Sequence, residues 1–319
     1  MKSKISSLSA MRIALIVMIF VLPLLMPRHN VDLLVFAGIY GIAGLGVGLM
    51  LGQCGIVNLA QGLFYGIGAY SSLIGSVHWG LPVPVGFALG VAVSASVSTV
   101  LGWPILRLSG FFLALATLAL SVIGSVLFFE WDSITGGSLG AGGIPKIEIF
   151  GFSLNSPIRY FYFVVTIGAI LMWLASNLLA GRIGLAIKGM RDAPEAAQML
   201  GVDGHQIRLI MFMISAVLGS IAGSLFAHYT SFISVQSFGV DRSIMFLIIP
   251  VIAGSRSVWG VVMGALFVVW VPEWLSAAGD IHRLLFGLAL VAVVFFLPGG
   301  LVQLSHNLQI QFLSRRKEV

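Results

Sequence analysis

Side chains that could carry acid–base or metal chemistry are few in this sequence. It contains 11 Asp and Glu residues, six His and a single Cys, Cys54. Neither the H-E-x-x-H zinc motif nor the G-x-x-x-x-G-K-[ST] phosphate loop occurs. One cysteine also excludes an intramolecular disulfide and a cysteine-rich metal site. We therefore predict no catalytic site, no metal site and no ATP hydrolysis by this chain alone.

Uncharged polar side chains occur inside apolar stretches, at helical spacing. Asn58 and Gln61 are three residues apart and Tyr65 follows four later, while Thr117 and Ser121 are four apart. Such spacing predicts that each group shares one helix face. Amides and hydroxyls without charge suit a route for a small zwitterion or a neutral polar solute. The alternative is hydrogen bonding between helices, worth about 0.6 kcal/mol on average in membranes.

The densest charge cluster lies in the middle of the chain. Residues 181–208 hold four basic and three acidic side chains, in a protein with 9% charged residues. Asp192 can cap a helix, Pro194 suits a first turn, and Glu195 can complete a capping box. Gly201 supplies the left-handed residue that ends a helix. The pattern predicts a short helix of about eight residues.

A helix this short needs a surface to pack on, because isolated helices under about 12–15 residues are marginal in water. Its apolar residues are Ala196, Met199 and Leu200. One interpretation places it on its own protein or in the membrane interface. The other inserts it into a cleft of a cytoplasmic partner.

The elements that must position these residues are predicted to be membrane-spanning helices. The chain is 59% hydrophobic, with a mean hydropathy of +1.07. Only 9% of its residues are charged, whereas roughly a quarter are charged in soluble domains. Runs of about twenty apolar residues are typical of spans. We predict an all-α polytopic fold with about ten spans, at 11–27, 31–52, 57–78, 82–106, 111–130, 158–180, 206–229, 238–253, 258–275 and 283–303.

The basic residues orient these spans. Ten spans leave both termini on one side, and only five of the 17 Lys and Arg fall on the other: Arg28, Lys146, Arg159, Arg242 and Arg283. Basic residues concentrate in cytoplasmic loops, so both termini and the segment 181–208 are predicted to be cytoplasmic. This asymmetry also explains the pI near 9.8 without a nucleic-acid partner.

The positions of charged residues and of the first apolar run argue against a proton-coupled transporter and against a cleaved signal peptide. Every carboxylate falls at or beyond the end of a predicted span, whereas a proton-coupled transporter normally carries one inside. The first span follows Lys2 and Lys4 as a signal peptide would, but its end, LPLLMPRHN, has no small-residue cleavage pattern. We keep it as a helix.

Several motifs resemble known membrane permeases. The segment Glu195-Ala196-Ala197 with Gly201 resembles the EAA-type coupling loop of bacterial ATP-binding-cassette (ABC) importers. Other stretches resemble the branched-chain amino acid permease family, in its LivM-like branch: Arg107-Leu108-Ser109-Gly110 with Leu113-Ala114 and Thr117-Leu118-Ala119, Thr135-Gly136-Gly137 with Gly143-Ile144-Pro145, Ser215 to Gly239, and Ser257-Val258-Trp259-Gly260. These matches span nearly the whole chain, from about Gly52 to Pro298.

The resemblance implies one transmembrane permease domain over residues 1–319, in the bacterial inner membrane, with a cytoplasmic coupling loop at about 181–208. The implied partners are membrane lipid, a second, LivH-like permease subunit, two cytoplasmic ATPase subunits that use ATP and Mg, and an extracytoplasmic substrate-binding protein. Residues expected to couple to the ATPase are Arg191, Asp192, Glu195, Ala196, Ala197 and Gly201. The permease itself would bind no cofactor.

The sequence departs from the family pattern near the expected solute route. Ile56, Asn58 and Gln61 stand where Gln, Ser and His are common in the third span, and Met245 stands where an acid often follows Ser-Ile in the eighth. Branched-chain amino acids are therefore the first expectation, with urea, short amides or aromatic carboxylates as alternatives. A stand-alone channel or facilitator, or an intramembrane enzyme, are competing functions.

Overall fold

The computed structural model describes residues 23–149, 152–254, 257–276, 279–296 and 300. Helices dominate these residues, which confirms the all-α polytopic class. They are α1 Arg28–Leu49, α2 Gln61–Leu73, α3 Val83–Ile105, α4 Gly110–Glu130, α5 Asp132–Thr135, α6 Pro157–Ala180, α7 Arg182–Asp192, α8 Pro194–Met199, α9 Gly204–Thr230, α10 Val240–Ala253, α11 Val261–Ser276 and α12 His282–Phe296. Two π-helical turns, Met50–Cys54 and Ile74–His78, extend α1 and α2.

Within the described ranges, six helical segments are long and apolar enough to cross a membrane. They are Arg28–Cys54, Val83–Ile105, Gly110–Glu130, Pro157–Ala180, Gly204–Thr230 and Val235–Ala253, and α11 and Leu284–Val293 are shorter apolar helices. Most of the predicted first span, 11–27, and the end of the last, 283–303, lie outside the described residues.

The centre of the fold is α9, which packs against α1, α2 and α3. Its contact with α2 brings backbone against backbone. A Cβ on Gly223 would lie 1.8 Å from the carbonyl oxygen of Tyr65, and one on Gly68 would lie 2.0 Å from that of Ser220. Small residues permit such approach where lipid provides no hydrophobic drive between helices. Gly219 and Gly223, one of several glycine pairs spaced by four, thus allow α9 to pack closely against α2.

The chain re-enters the protein after α1. Residues 55–60 are not helical, and α2 begins at Gln61. The Gln61 amide donates to the carbonyl of Ala43 at 3.0 Å. Ala43 lies about 16 Å before Cys54, the last residue of the segment that α1 begins, at a rise of about 1.5 Å per residue. Six extended residues reach about 20 Å, enough for this return. The helix α2 therefore starts near the middle of α1 rather than at a membrane surface.

A second break follows α9. The strand Phe232–Ile233 (β4) and a 3₁₀ turn at Val235–Phe238 lead to α10, whose first turn lies beside the start of α2: a Cβ on Gly62 would be 2.9 Å from the Gly239 carbonyl oxygen. The predicted span 238–253 therefore starts inside the protein. Asp241 and Arg242 follow this start, so their expected place at the outer membrane surface is wrong.

The segment between α4 and α6 is fixed by hydrogen bonds. The strand Ala141–Gly142 (β1) pairs antiparallel with β4, and Glu148–Ile149 (β2) pairs with Phe152–Ser153 (β3). The Thr135 hydroxyl donates to the Phe128 carbonyl at 2.6 Å and accepts from the Gly137 N–H at 3.2 Å. The Thr-Gly-Gly motif is thus a turn in which Thr135 supplies the polar partners.

The contact between α2 and α9 gives the first prediction. Gly223→Ala should lower the stability of the purified protein by about 1–3 kcal/mol, because the new methyl group meets backbone that cannot rotate away. The control is Gly287→Ala in α12, where a Cβ meets nothing within 4 Å. Thermal unfolding in detergent measures both, and equal melting temperatures for the two variants would contradict the packing account.

Candidate functional site

The predicted route residues meet around the start of α2. Asn58, Gln61, Tyr65, Thr117 and Ser121 are at most 1% exposed. Gln61 is the centre of this group. Its amide nitrogen donates to the carbonyls of Ala43 and Ser215 at 3.0 and 3.1 Å, and its amide oxygen accepts from the Ser215 hydroxyl at 3.0 Å. One side chain thereby connects α1, α2 and α9.

Asn58 and Thr117 supply partners for the backbone of the extended segment. The Asn58 side-chain oxygen accepts from the Ala60 N–H at 2.9 Å, and the Thr117 hydroxyl accepts from the Leu59 N–H at 3.1 Å. The Asn58 amide also donates to the Ser215 hydroxyl at 3.3 Å. Asn58 is in this extended segment, so the premise that it shares a helix face with Gln61 is wrong. Their common partner, Ser215, brings them together instead.

A serine pair continues the polar cluster to α4 and α10. The Ser243 hydroxyl accepts from the Gly62 N–H at 2.8 Å and lies 3.0 Å from the Ser121 hydroxyl. This satisfies an N–H at the start of α2 that has no partner within its own helix. Sequence reasoning missed Ser215 and Ser243. Their one signal is a hydroxyl inside an apolar stretch, which many other serines in this chain share.

Tyr65 differs from the other four. Its ring packs against Phe226, Phe238 and Phe246, with centroids 5.0–5.7 Å apart. Its buried hydroxyl has no hydrogen-bond partner among the described residues. The Tyr65 hydroxyl is therefore the polar atom of the predicted route that the surrounding protein leaves unpaired, whereas the amides of Asn58 and Gln61 already have partners.

The charged segment 181–208 contains two helices rather than one. An 11-residue helix, α7, precedes the predicted one and ends at Asp192. The helix α8 has six residues, and its N-cap is Ala193, whose methyl side chain offers no oxygen. The prediction that Asp192 caps this helix is therefore wrong, because Asp192 belongs to the preceding helix. The prediction for Gly201 is confirmed, since its φ is +81°.

Most of α8 is open to solvent. Ala197 is its only buried residue, against Gly189 of α7. Glu195 and Ala196 are exposed, and Met199 and Leu200 are 90% and 85% exposed. Two large apolar side chains thus project from the end of a helix that its own chain barely covers.

Arg191 links these helices to the end of α1. Its guanidinium donates to the Gly52 carbonyl, and its aliphatic stem lies beside Gly55, where a Cβ would be 3.6 Å from the Arg191 Cγ. Gly55 begins the extended segment that carries Asn58. Arg191 is therefore a direct contact between the solvent-exposed helix pair and the segment that leads to the buried polar cluster.

Comparisons with known proteins agree with this architecture. A family model described as "Branched-chain amino acid transport system / permease component" matches residues 30–294. The chain is 30% identical to the permease protein LivM of Salmonella typhimurium, over 92% of this chain and 74% of that protein. It is 29% identical to LivM of Escherichia coli K12 over the same shares, and 25% identical to LivH of that organism over 75% and 82%. No solved structure matches.

The contact of Thr117 with the extended segment gives the second prediction. Thr117→Val keeps the side-chain shape but leaves the Leu59 N–H unpaired in an apolar interior, which costs about 1–3 kcal/mol. We expect a lower melting temperature in detergent. Thr166→Val is the matched control, because Thr166 is exposed and its hydroxyl bonds only to a carbonyl of its own helix. A Thr117→Val protein as stable as this control would show that the bond is not needed.

Proposed function

The chain belongs to the branched-chain amino acid transport permease family, and from this we propose that it is the membrane-spanning subunit of an ABC importer. Its solute would be a branched-chain amino acid or a related small polar molecule, carried across the bacterial inner membrane. The family is one of transport permeases, not of enzymes. The observation that carries the proposal beyond family membership is the exposed helix α8, with Met199 and Leu200 free to enter a partner's groove.

The proposed complex has four further subunits. A second, LivH-like permease would complete the membrane part, two cytoplasmic ATPases would use ATP and Mg, and an extracytoplasmic protein would deliver the solute. Relatives named LivM and LivH support a pair of permeases. We also propose about ten spans, with both termini in the cytoplasm, because twelve basic residues fall on the side of the termini against four on the other, once Arg242 is counted inside the protein.

Coupling would run through the segment 181–208. In this proposal Glu195 and Ala196 face the ATPase beside Met199 and Leu200, and Ala197 holds α8 against α7. Gly201 turns the chain back toward α9. Movement of the helix pair reaches the membrane part through Arg191 and its bond to the Gly52 carbonyl, next to the extended segment. Asp192, the last residue of α7, joins the two helices.

The solute route would pass the polar cluster of Asn58, Gln61, Tyr65, Thr117 and Ser121. Breaks in membrane helices commonly mark binding sites in transporters, and two such breaks meet here. Because these side chains are buried, the solute reaches them only when neighbouring helices move. A stand-alone channel is the second candidate, but it leaves the exposed α8 without a role.

Reconstitution tests the main proposal. Proteoliposomes that hold the permease pair and both ATPases should import leucine only when ATP and the binding protein are supplied. Omission of the ATPases should abolish uptake. Leucine flux from the permease chain alone, without ATP, would instead support a channel.

The docking role of α8 gives the third prediction. Leu200→Ser removes an 85% exposed apolar side chain, so we expect weaker co-purification of the ATPases and at least about fivefold less uptake, with normal membrane insertion. Leu139→Ser is the matched control, because Leu139 is 86% exposed and lies in the segment proposed to be outside. Uptake and ATPase recovery at parent levels in Leu200→Ser would refute the docking role.

The same two leucines give the fourth prediction, on orientation. In a Cys54→Ser background expressed without the ATPases, so that α8 is not docked, Leu139→Cys should react with a membrane-impermeant thiol reagent in intact spheroplasts, whereas Leu200→Cys should react only after permeabilisation. Their equal exposure makes the comparison independent of local burial. The opposite labelling pattern would overturn the proposed topology.

A further inference from the structure

Arg242 is a cation placed well inside the membrane part of the protein. It lies in the first turn of α10, and its guanidinium donates to the Tyr40 hydroxyl at 2.6 Å. Tyr40 is about 18 Å from the Arg28 end of the 27-residue segment Arg28–Cys54, which is about 40 Å long at about 1.5 Å per residue. The charge is therefore held near the middle of the longest helices rather than at a surface.

The described partners of this guanidinium are all neutral. Besides the Tyr40 hydroxyl they are the Tyr40 ring, 5.1 Å from the Arg242 Cζ, and the Met245 sulfur at 3.5 Å. Among described residues the only ion pair within 4 Å joins His29 to Glu273. Asp241, the preceding residue, is exposed and forms no such pair. The predicted span 11–27 contains no Asp or Glu, so it supplies no carboxylate either.

The two residues that contact this guanidinium, Tyr40 and Met245, also line a groove, although Arg242 is not itself one of the lining residues. The groove has a volume of about 350 Å³ and lies between α1, α10 and α11, with Phe36, Tyr40, Met245 and Pro272 in its lining. Glu273 also lines this groove, and its carboxylate is bonded to His29 at 2.7 Å. The volume suits a molecule of amino-acid size, and the apolar wall suits an aliphatic or aromatic side chain.

Lipid is a poor occupant of this groove. A guanidinium near the bilayer centre costs at least about 2.5–3.5 kcal/mol when lipid surrounds it, so intramembrane charges normally face an aqueous cavity or a partner. The Arg242 side chain is too short to reach a surface about 18 Å away. Asp241, exposed at nearly the same depth, has the same requirement. Water, a polar ligand or a polar group of a partner subunit must therefore reach this face of α10.

We propose that Arg242 binds the carboxylate of the transported solute in this groove. A guanidinium has five N–H donors in a planar fork, and the bond to Tyr40 leaves most of them for two parallel bonds to a carboxylate. Tyr40 and Met245 orient the fork, and Phe36 contacts the solute's apolar part. This inference rests on the proposed importer function and narrows its solute to amino acids or aromatic carboxylates, against urea and short amides.

Uptake by reconstituted complexes tests the assignment, with L-leucine as the probe. Arg242→Gln should lower leucine uptake per assembled complex at least about tenfold, while ATPase stimulation by the loaded binding protein stays within about twofold of the parent. Arg242→Lys, which keeps the charge but loses the fork, should recover part of the uptake. Arg159→Gln, which removes an exposed guanidinium bonded to the Ser153 carbonyl, is the control and should import like the parent.

Three results would overturn the inference. Parent-level uptake by Arg242→Gln would do so and would leave the importer function intact. Loss of assembled complex with unchanged uptake per complex would place Arg242 opposite a carboxylate of the second permease instead. A parent complex that imports urea or short amides but not leucine would exclude a carboxylate ligand, and it would also refute the amino-acid substrate of the proposed function.

Discussion

The structure depends on one constraint, which is that backbone N–H and C=O groups inside a membrane must find partners within the protein. A continuous helix meets this requirement alone, but a chain that breaks its helix at that depth does not. Residues 55–60 are such a break, and the start of α2 is another source of unpaired N–H groups. The side chains of Asn58, Thr117 and Ser243 supply the missing partners. Their presence in an apolar protein follows from the break.

The same constraint explains why α9 is central. A segment that leaves the membrane surface and returns must be enclosed on every side, so the neighbouring helices approach α2 closely. Gly68 and Gly223 permit this approach, and Ser215 on α9 bonds to both Asn58 and Gln61. The second break lies between the C-terminal end of α9 and α10. It brings Gly239 beside Gly62, at the start of α2. Two breaks thus share one polar cluster and one set of enclosing helices.

The sequence predicted what depends on composition and on local stereochemistry. Apolar runs gave the long helices, and the left-handed φ of Gly201 followed from its place after a short amphipathic stretch. The breaks were not predictable in this way, because 57–78 and 238–253 read as unbroken apolar runs whether or not a helix starts at the surface. The error on Asp192 has a similar origin. The segment before it has its buried residues at Gly184, Ile187 and Met190. Because one of these three is a glycine, the apolar pattern was too weak to predict the helix that ends at Asp192.

The polar cluster and the groove beside Arg242 are mechanically connected, because Arg242 and Ser243 are consecutive residues of one helix turn. Arg242 is bound to α1 through Tyr40, and Ser243 is bound to the start of α2 and to α4. A shift of α10 that separates Ser243 from Gly62 leaves a buried N–H unpaired, at a cost of about 1–3 kcal/mol. A comparable free energy must then come from outside α10, either from a new partner for the Gly62 N–H or from movement of the helices around it. Because the extended segment next to α2 also contacts Arg191, the helix pair α7–α8 is placed to act on the same bond from the other side. Two distant surfaces therefore act on one buried hydrogen-bond cluster.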